Sequence, residues 1–128
     1  MPKYLSEEWL DLHQELGSRL PEVEGVTAVV EQVVPGSPEV EVRYAVSYRD
    51  GQVVAATRGA ADDPDVSLTT KYVDAVKLLN GDLDANAEFM SGRMKVAGST
   101  GKLLGVLALQ KTPGYEAFRK ELAEATEV

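Results

Sequence analysis

The sequence feature that most constrains the fold is a strict alternation of apolar and polar residues between positions 40 and 48. The apolar set is Val40, Val42, Tyr44, Val46 and Tyr48, and between them stand Glu41, Arg43, Ala45 and Ser47. A period of two is that of a β-strand, in which successive side chains point to opposite faces. The segment is therefore predicted to be a strand with one face in a core and one face in water.

This alternation runs directly into a turn signal. Asp50-Gly51 is a dipeptide typical of two-residue β-hairpins, because such turns need residues that tolerate positive φ. A hairpin closed here brings the apolar faces of both strands to the same side, so pattern and register agree. The predicted pairs are Arg49 with Gln52, Tyr48 with Val53, and Val46 with Ala55.

Three further segments are predicted to be strands. Residues 26–34 are rich in β-branched side chains, and residues 35–38, with two prolines and a glycine, are predicted to form the turn that follows. Two short alternations predict a fourth strand and a fifth strand, through Val66 and Leu68 and through Met94 and Val96.

Five helices are predicted from apolar residues at helical spacing and from capping residues. The first covers residues 6–20, with Ser6 as its N-cap and Pro21 as its terminator. The second is expected to begin at Thr69 or Thr70 and to end at Gly81. The other three are predicted to begin at the caps Asp84, Ser99 and Thr112.

The order of elements indicates an α+β fold. One helix is followed by a run of strands, two helices, one strand and two more helices, which is typical of a mostly antiparallel sheet covered on one face by helices. No repeat and no change of composition divides the chain. Residues 1–128 are therefore predicted to form a single domain.

Charge and composition exclude several classes of function. The formal net charge is −8, which repels phosphate backbones and makes nucleic acid a poor candidate partner. There is no cysteine for a disulfide or a thiolate metal site. The longest apolar run, near residues 103–109, is too short to span a membrane. The N-terminus does not resemble a secretory signal, nor the C-terminus a peroxisomal one, so a cytoplasmic location is expected.

Two motifs with a partial match to ligand-binding loops are better explained as helix caps. Residues 98–102 (GSTGK) have two residues between their glycines, where a phosphate loop needs four, and Leu103 stands where that motif has a hydroxyl residue. Residues 82–88 alternate acidic and other positions like a calcium loop. The required glycine and glutamate of that loop are replaced by Ala87 and Arg93.

No set of residues predicts catalysis. His13 is the only histidine, and it has no second histidine or cysteine to act with, so a surface or core-edge role is favoured. No nucleophile elbow is present. Acidic pairs fall at helix starts and loops, where they are expected to be solvated. The chain is therefore predicted not to be an enzyme and to bind neither a metal nor a cofactor.

The remaining signal is apolar. Phe89, Met90 and Met94 cluster around Gly92, and a helix that is apolar almost all round follows. Such a helix must be buried or must line something apolar, and methionine suits irregular apolar surfaces. The residues by themselves favour a filled core over a cavity, because such stripes are usually packing.

Residues 65–107 resemble the core of the sterol carrier protein 2 domain, also called the non-specific lipid-transfer protein. The resemblance rests on three glycine-anchored segments in matching order: residues 66–69 (VSLT), residues 78–83 (LLNGDL) and residues 87–98 (AEFMSGRMKVAG). It covers about a third of the chain. The rest of the chain is similar to the family only in its order of elements.

The resemblance implies a five-stranded sheet covered on one side by helices, with an apolar tunnel between the two layers that holds fatty acyl chains, sterols or similar molecules. On this basis the chain is expected to bind a lipid or another small hydrophobic ligand. The residues expected to form the walls are Val76, Leu79, Phe89, Met90, Met94, Leu103, Leu104 and Leu107. Tyr115 and Phe118 on the last helix are expected to close the mouth.

Two other functions remain open. Similar domains occur attached to enzymes, so the chain could be a non-catalytic interaction module for a lipid-metabolising enzyme, with a separate protein or a second copy of itself as partner. An enzyme acting on lipids is the less supported alternative, since the tests for a nucleophile and for an acid–base pair failed.

Overall fold

The computed structural model describes all residues, 1–128, and has the five helices and five strands that the patterns predict. The helices are α1 (Glu7–Gly17), α2 (Tyr72–Asn80), α3 (Ala85–Ser91), α4 (Thr100–Gln110) and α5 (Pro113–Glu124). The strands are β1 (Ala28–Ser37), β2 (Val40–Arg49), β3 (Gln52–Arg58), β4 (Val66–Thr69) and β5 (Lys95–Gly98). No helix is both long enough and apolar enough to cross a membrane.

The strands form one open sheet in the order β3-β2-β1-β4-β5. All neighbouring strands are antiparallel except β1 and β4, which run parallel. The predicted α+β class and the mostly antiparallel sheet are confirmed. The helices pack on the sheet at several places: α1 lies against β3, α2 against β1, and α4 against β4.

The predicted turn at residues 35–38 is wrong. β1 continues to Ser37, because a bulge between Pro35 and Ser37 lets the strand keep its pairing with β2 past the glycine. The turn lies two residues later, and Val40 leaves it with φ +73°. As a result Val40 is 80% exposed and does not share the buried face of Val42.

The predicted hairpin register is correct next to the turn and wrong further away. Arg49 pairs with Gln52 and Tyr48 with Val53, as expected. A second bulge, between Ser47 and Tyr48, leaves Val54 without a partner, so Val46 pairs with Ala56 instead of Ala55. The strands thus bend at this point, and the buried face of β3 shifts by one residue.

Local capping chemistry explains where most helices begin. The side chains of Ser6, Asp84, Ser99 and Thr112 each accept a hydrogen bond from the backbone N–H three residues later, as predicted. The first helix is shorter than predicted and ends at Gly17. The predicted cap of α2 is wrong: Lys71 occupies that position and its side chain caps nothing. Thr69 lies in β4, and the N–H of Thr70 donates to the carbonyl of Val33.

The two ends of the chain meet beside the first helix. Tyr4 N–H donates to the carbonyl of Glu127, and Glu127 N–H donates to that of Pro2, both over 2.8 Å. Trp9 donates through Nε1 to Thr126 Oγ1 at 3.0 Å. The same indole stands edge-on to the ring of Tyr4, with ring centres 5.0 Å apart. These contacts hold α1, α5 and both termini together.

The close approach of α1 to β3 predicts a pair of glycine variants with opposite effects on stability. A Cβ at Gly17 would lie 2.5 Å from Val53 Cγ2, whereas a Cβ at Gly105 in α4 would meet nothing within 4 Å. We expect Gly17→Ala to lower the free energy of unfolding by ~1–3 kcal/mol through overpacking. Gly105→Ala should raise it by up to ~1 kcal/mol through helix propensity.

Urea unfolding followed by circular dichroism measures both effects, and Gly105→Ala is the matched control for a new methyl group in a helix. A Gly17→Ala protein as stable as the wild type would show that α1 can move away from β3 without loss.

Candidate functional site

A cavity of about 440 Å³ lies between the sheet and the helices, and most of the residues around it are hydrophobic. On the sheet side it is bounded by Gln32, Val34, Tyr44 and Leu68. The helices contribute Trp9, His13, Ala75, Leu79, Leu103, Val106, Leu107, Tyr115, Phe118 and Leu122. Its volume falls within the usual range for small-molecule sites, roughly 300–1,000 Å³.

The structure brings together six of the ten residues expected to form the site. The six that line the cavity are Leu79, Met94, Leu103, Leu107, Tyr115 and Phe118. The four that do not are Val76, Phe89, Met90 and Leu104. Met90 and Leu104 are 74% and 52% exposed, and neither can serve as an interior wall in this conformation.

Helix geometry explains why Leu104 and Met90 lie outside. Neighbouring helix residues point about 100° apart, so with Leu103 and Leu107 turned inward, Leu104 faces solvent and Val106 takes the inner position. In α3 the buried residue is Glu88, two positions before Met90. Its Oε2 accepts a hydrogen bond from Nε of Arg93 at 2.9 Å. The composition of both helices gives no clue to this orientation.

Several residues of the cavity were missed by sequence reasoning. Trp9 is a cavity residue that the sequence patterns do not single out, and Tyr44 is predicted only as part of the alternating strand. Gln32 is not singled out by the sequence patterns, and Thr70 is considered only as a possible cap of the second helix. A signal existed for Gln32, since it occupies an inward position of β1 between Val30 and Val34. Which part of the sheet faces a cavity and which part faces a filled core depends on helix placement.

His13 is fully inside the molecule and not on its surface. It is 6% exposed, and its ring centre lies 5.3 Å from those of both Trp9 and Phe118. Burial lowers the pKa of this imidazole to about 4, so it is neutral at pH 7. Its Nδ1 has no hydrogen-bond partner. A neutral ring between aromatic neighbours contributes shape and a polar atom to the cavity wall, and no charge.

The tyrosines near the cavity are also uncharged. Burial raises the pKa of Tyr44 well above its ordinary value, and it also raises the pKa of Tyr115. Their phenols therefore keep their protons at any physiological pH and remain potential hydrogen-bond donors.

Charged residues stand at the edge of the cavity where α5 meets the end of α2. Arg119 donates to the carbonyl of Leu79 at 2.7 Å and to Glu116 Oε1 at 2.6 Å. The guanidinium thereby holds the pKa of Glu116 below its ordinary value and ties α5 to α2. Lys111, Asp82 and Asp84 are further charged residues that line the cavity. No group of three or more histidine or acidic side chains is placed to hold a metal ion.

The buried histidine predicts a pH dependence of stability. The unfolded chain binds a proton at His13 below about pH 6.5, but the folded protein does so only near pH 4. The contribution of His13 to the free energy of unfolding is therefore fully present above about pH 6.5. It is lost as the pH falls towards 4, by about 1.4 kcal/mol per pH unit. Urea unfolding at about pH 7 and about pH 5 measures this loss.

His13→Leu is the control, because other acidic groups also titrate in this range. We expect the loss of unfolding free energy between the two pH values to be smaller in His13→Leu than in the wild type, by about 2 kcal/mol. Equal losses in both proteins would contradict a neutral, desolvated His13.

Comparison with known proteins gives a family match over most of the chain and a relative of similar sequence. The SCP-2 sterol transfer family matches residues 7–111. An oleate-induced peroxisomal protein of Candida maltosa is 31% identical over 89 residues, which is 70% of this chain and 70% of that protein. The family match covers most of the chain, and the relative supports it independently.

Two solved structures show the same fold. One is a conserved hypothetical protein of Thermus thermophilus, described as possibly a sterol carrier protein, with a TM-score of 0.71 at 16% identity. The alignment covers 96% of this chain and 92% of that one. The other is palmitated sterol carrier protein 2 like 2 from Aedes aegypti, with a TM-score of 0.63 at 15% identity, covering 84% and 96%. Because the family match extends from α1 to the end of α4, the chain belongs to the SCP-2 sterol transfer family.

Proposed function

We propose that this protein binds the apolar part of a lipid in the cavity and carries it or presents it to another protein, with residues 1–128 acting as one lipid-binding domain. The observation that carries the proposal is the cavity itself, with its largely hydrophobic lining, in a chain of the SCP-2 sterol transfer family. The palmitated relative from Aedes aegypti supports an acyl chain as one class of ligand.

Burial of an acyl chain supplies enough free energy for such binding. Each buried methylene contributes about 0.8 kcal/mol, so a chain of roughly sixteen carbons gains on the order of 10 kcal/mol before costs. Loss of translational and rotational freedom takes back several kcal/mol. The remainder corresponds to a Kd of about micromolar or better, with no need for a reactive residue.

The charged edge of the cavity suits the polar head of such a ligand. Lys111 is an exposed cation that lines the cavity, whereas Arg119 is engaged with Glu116 and with the end of α2. A carboxylate headgroup placed beside Lys111 would leave the acyl chain pointing inward, past Leu107 and Phe118. This orientation keeps the charge in water and buries only the chain.

We infer that the protein performs no covalent chemistry. The single histidine has aromatic rings as its neighbours, and no carboxylate is hydrogen-bonded to it to make it a general base. Of the acidic groups that line the cavity, Glu116 is paired with Arg119 and Asp84 caps α3. Turnover of a lipid ester by the pure protein would contradict this inference.

Partner and location remain separate predictions. A homodimer or a complex with a lipid-metabolising enzyme is tested by size-exclusion chromatography and pull-down. Location in the cytoplasm is likewise untested, and the name of the Candida maltosa relative points to the peroxisome for that protein. Fractionation of cells producing the protein with a small epitope tag distinguishes the two compartments.

A bulky side chain placed in the cavity should weaken lipid binding without unfolding the protein. Ala75 is 8% exposed on α2 and lines the cavity, so Ala75→Phe places a ring where the lipid would lie. We expect the affinity for a fluorescent fatty acid to fall by about tenfold or more, equivalent to ~1.4 kcal/mol. Val73→Phe is the matched control, since Val73 lies on the same helix and is 60% exposed.

Binding is measured by fluorescence titration, with thermal unfolding as the check on folding. A folded Ala75→Phe protein that binds as well as the Val73→Phe control would place the ligand elsewhere. Native mass spectrometry of freshly purified wild-type protein gives an independent test, because a co-purified lipid appears as a defined added mass that Ala75→Phe should lack.

A further inference from the structure

The wall that the sheet gives to the cavity carries polar side chains. In the register of the sheet, Gln32 of β1 stands directly between Tyr44 of β2 and Leu68 of β4. Thr70 follows two residues after Leu68 and so lies on the same face as Leu68. Gln32, Tyr44 and Thr70 all line the cavity. An interior designed only for hydrocarbon would have aliphatic side chains at these inward positions.

Two buried polar atoms in residues that line the cavity have no partner within the protein. They are Oγ1 of Thr70 and Nδ1 of His13, in residues only 3% and 6% exposed. An unpaired buried polar group is unfavourable, and native proteins rarely retain one without a reason. Both belong to residues around the same cavity. Neighbouring atoms cover both in the empty protein. A ligand would therefore bond to them only after a rotation of the side chain, and that bond would remove the penalty.

On the opposite face of β1 and β4, polar side chains do have hydrogen-bond partners within the protein. There, Ser67 donates to Glu31 Oε1 at 2.8 Å, and the N–H of Ala61 donates to Glu31 Oε2 at 3.0 Å. Glu31 and Ser67 on the outer face are thus hydrogen-bonded within the protein, whereas the unpartnered atoms of Thr70 and His13 belong to residues that line the cavity.

The polar groups on the inner wall are all neutral. His13 lacks a proton at pH 7 because burial lowers its pKa, and the phenol of Tyr44 keeps its proton because burial raises its pKa. Gln32 and Thr70 have no charge. The charged residues, Lys111 and Arg119 among them, stand at the edge described above. Without an interior charge, this wall can accept an uncharged oxygen but not a carboxylate.

We propose that His13, Gln32, Tyr44 and Thr70 form a polar subsite inside the cavity that receives a hydroxyl or carbonyl oxygen at the buried end of the lipid. The inference deepens the proposed function and rests on it. It names the ligand class as a lipid that is polar at both ends, with its headgroup at the charged edge and an uncharged oxygen inside. An ω-hydroxy fatty acid is the simplest member of this class.

The chemistry of the groups fits a hydroxyl. A threonine hydroxyl can both donate and accept, and a glutamine amide offers two donors and one acceptor. An alcohol on the ligand needs one acceptor and can take one or two donors. In a purely aliphatic cavity, that alcohol would lose its hydrogen bonds to water without replacement, and its affinity would fall below that of the plain fatty acid.

The experiment compares hexadecanoic acid with ω-hydroxyhexadecanoic acid by displacement of a fluorescent fatty acid. We expect the wild type to bind the hydroxy acid at least as tightly as hexadecanoic acid. In Thr70→Val and in Gln32→Leu, the preference should shift by about tenfold towards hexadecanoic acid, because the hydroxyl then lacks a partner. Thr69→Val is the matched control: Thr69 lies on the opposite face of β4, and its variant should leave the ratio unchanged.

A second measurement, thermal unfolding, shows whether the variant is folded. Thr70→Val removes an unpaired hydroxyl, so the empty variant should unfold at a temperature equal to or above that of the wild type. A wild type that prefers hexadecanoic acid about tenfold or more, or a ratio that does not move in either variant, would overturn the polar subsite and leave the proposed function intact. If neither acid displaces the probe, both fail together.

Discussion

The parallel pairing of β1 with β4 is the constraint on which the rest of the structure depends. It joins the hairpin part of the sheet to the helical part of the chain over only four residue pairs, from Val30 with Val66 to Val33 with Thr69. Asp65 secures its start, because its carboxylate accepts from Val29 N–H at 2.7 Å while its own N–H donates to the carbonyl of Val29. This register places Leu68 beside Gln32 and therefore determines what the cavity wall contains.

The same junction explains a glycine at the outer edge of the sheet. Gly98 pairs with Val66, and a Cβ there would lie 2.5 Å from the carbonyl oxygen of Asp65. Its φ of +109° is one that other residues rarely adopt. Since α4 begins directly after this strand, the close approach of β5 to β4 also determines where Leu103 and Leu107 enter the interior.

The helical cover closes the cavity without filling it. α5 packs against α1, α2 and α4. It is held by directed bonds at two places, from Arg119 to the end of α2 and from Trp9 to Thr126. Directed bonds of this kind can hold a helix at a distance that apolar packing alone would tend to close. The core is densely packed at Leu10, Val53 and Val66, which are 2%, 0% and 0% exposed and do not line the cavity. Much of the stability of the fold therefore comes from a part of the interior that a ligand does not occupy.

Local chemistry was predictable from the sequence, and the placement of one element on another was not. The caps at Ser6, Asp84 and Ser99 depend on residues three positions apart, and the family resemblance lay in contiguous segments. The bulge that makes Ala56 and not Ala55 the partner of Val46 cannot be recognised from the alternation of apolar and polar residues. Likewise, Leu104 and Leu107 are the same residue type on the same helix, and only the docking of that helix decides which faces the cavity.

The junction of the two chain ends beside Trp9 has a further consequence. Glu127 N–H donates to the carbonyl of Pro2 and Tyr4 N–H donates to the carbonyl of Glu127. Anything attached to either terminus therefore leaves the protein at one corner, next to the helix pair that carries Trp9 and Leu122. A bulky group attached to one terminus would disturb the backbone hydrogen bonds that hold the other terminus. That corner is consequently the point at which the geometry of a neighbouring polypeptide could alter how tightly the interior is closed.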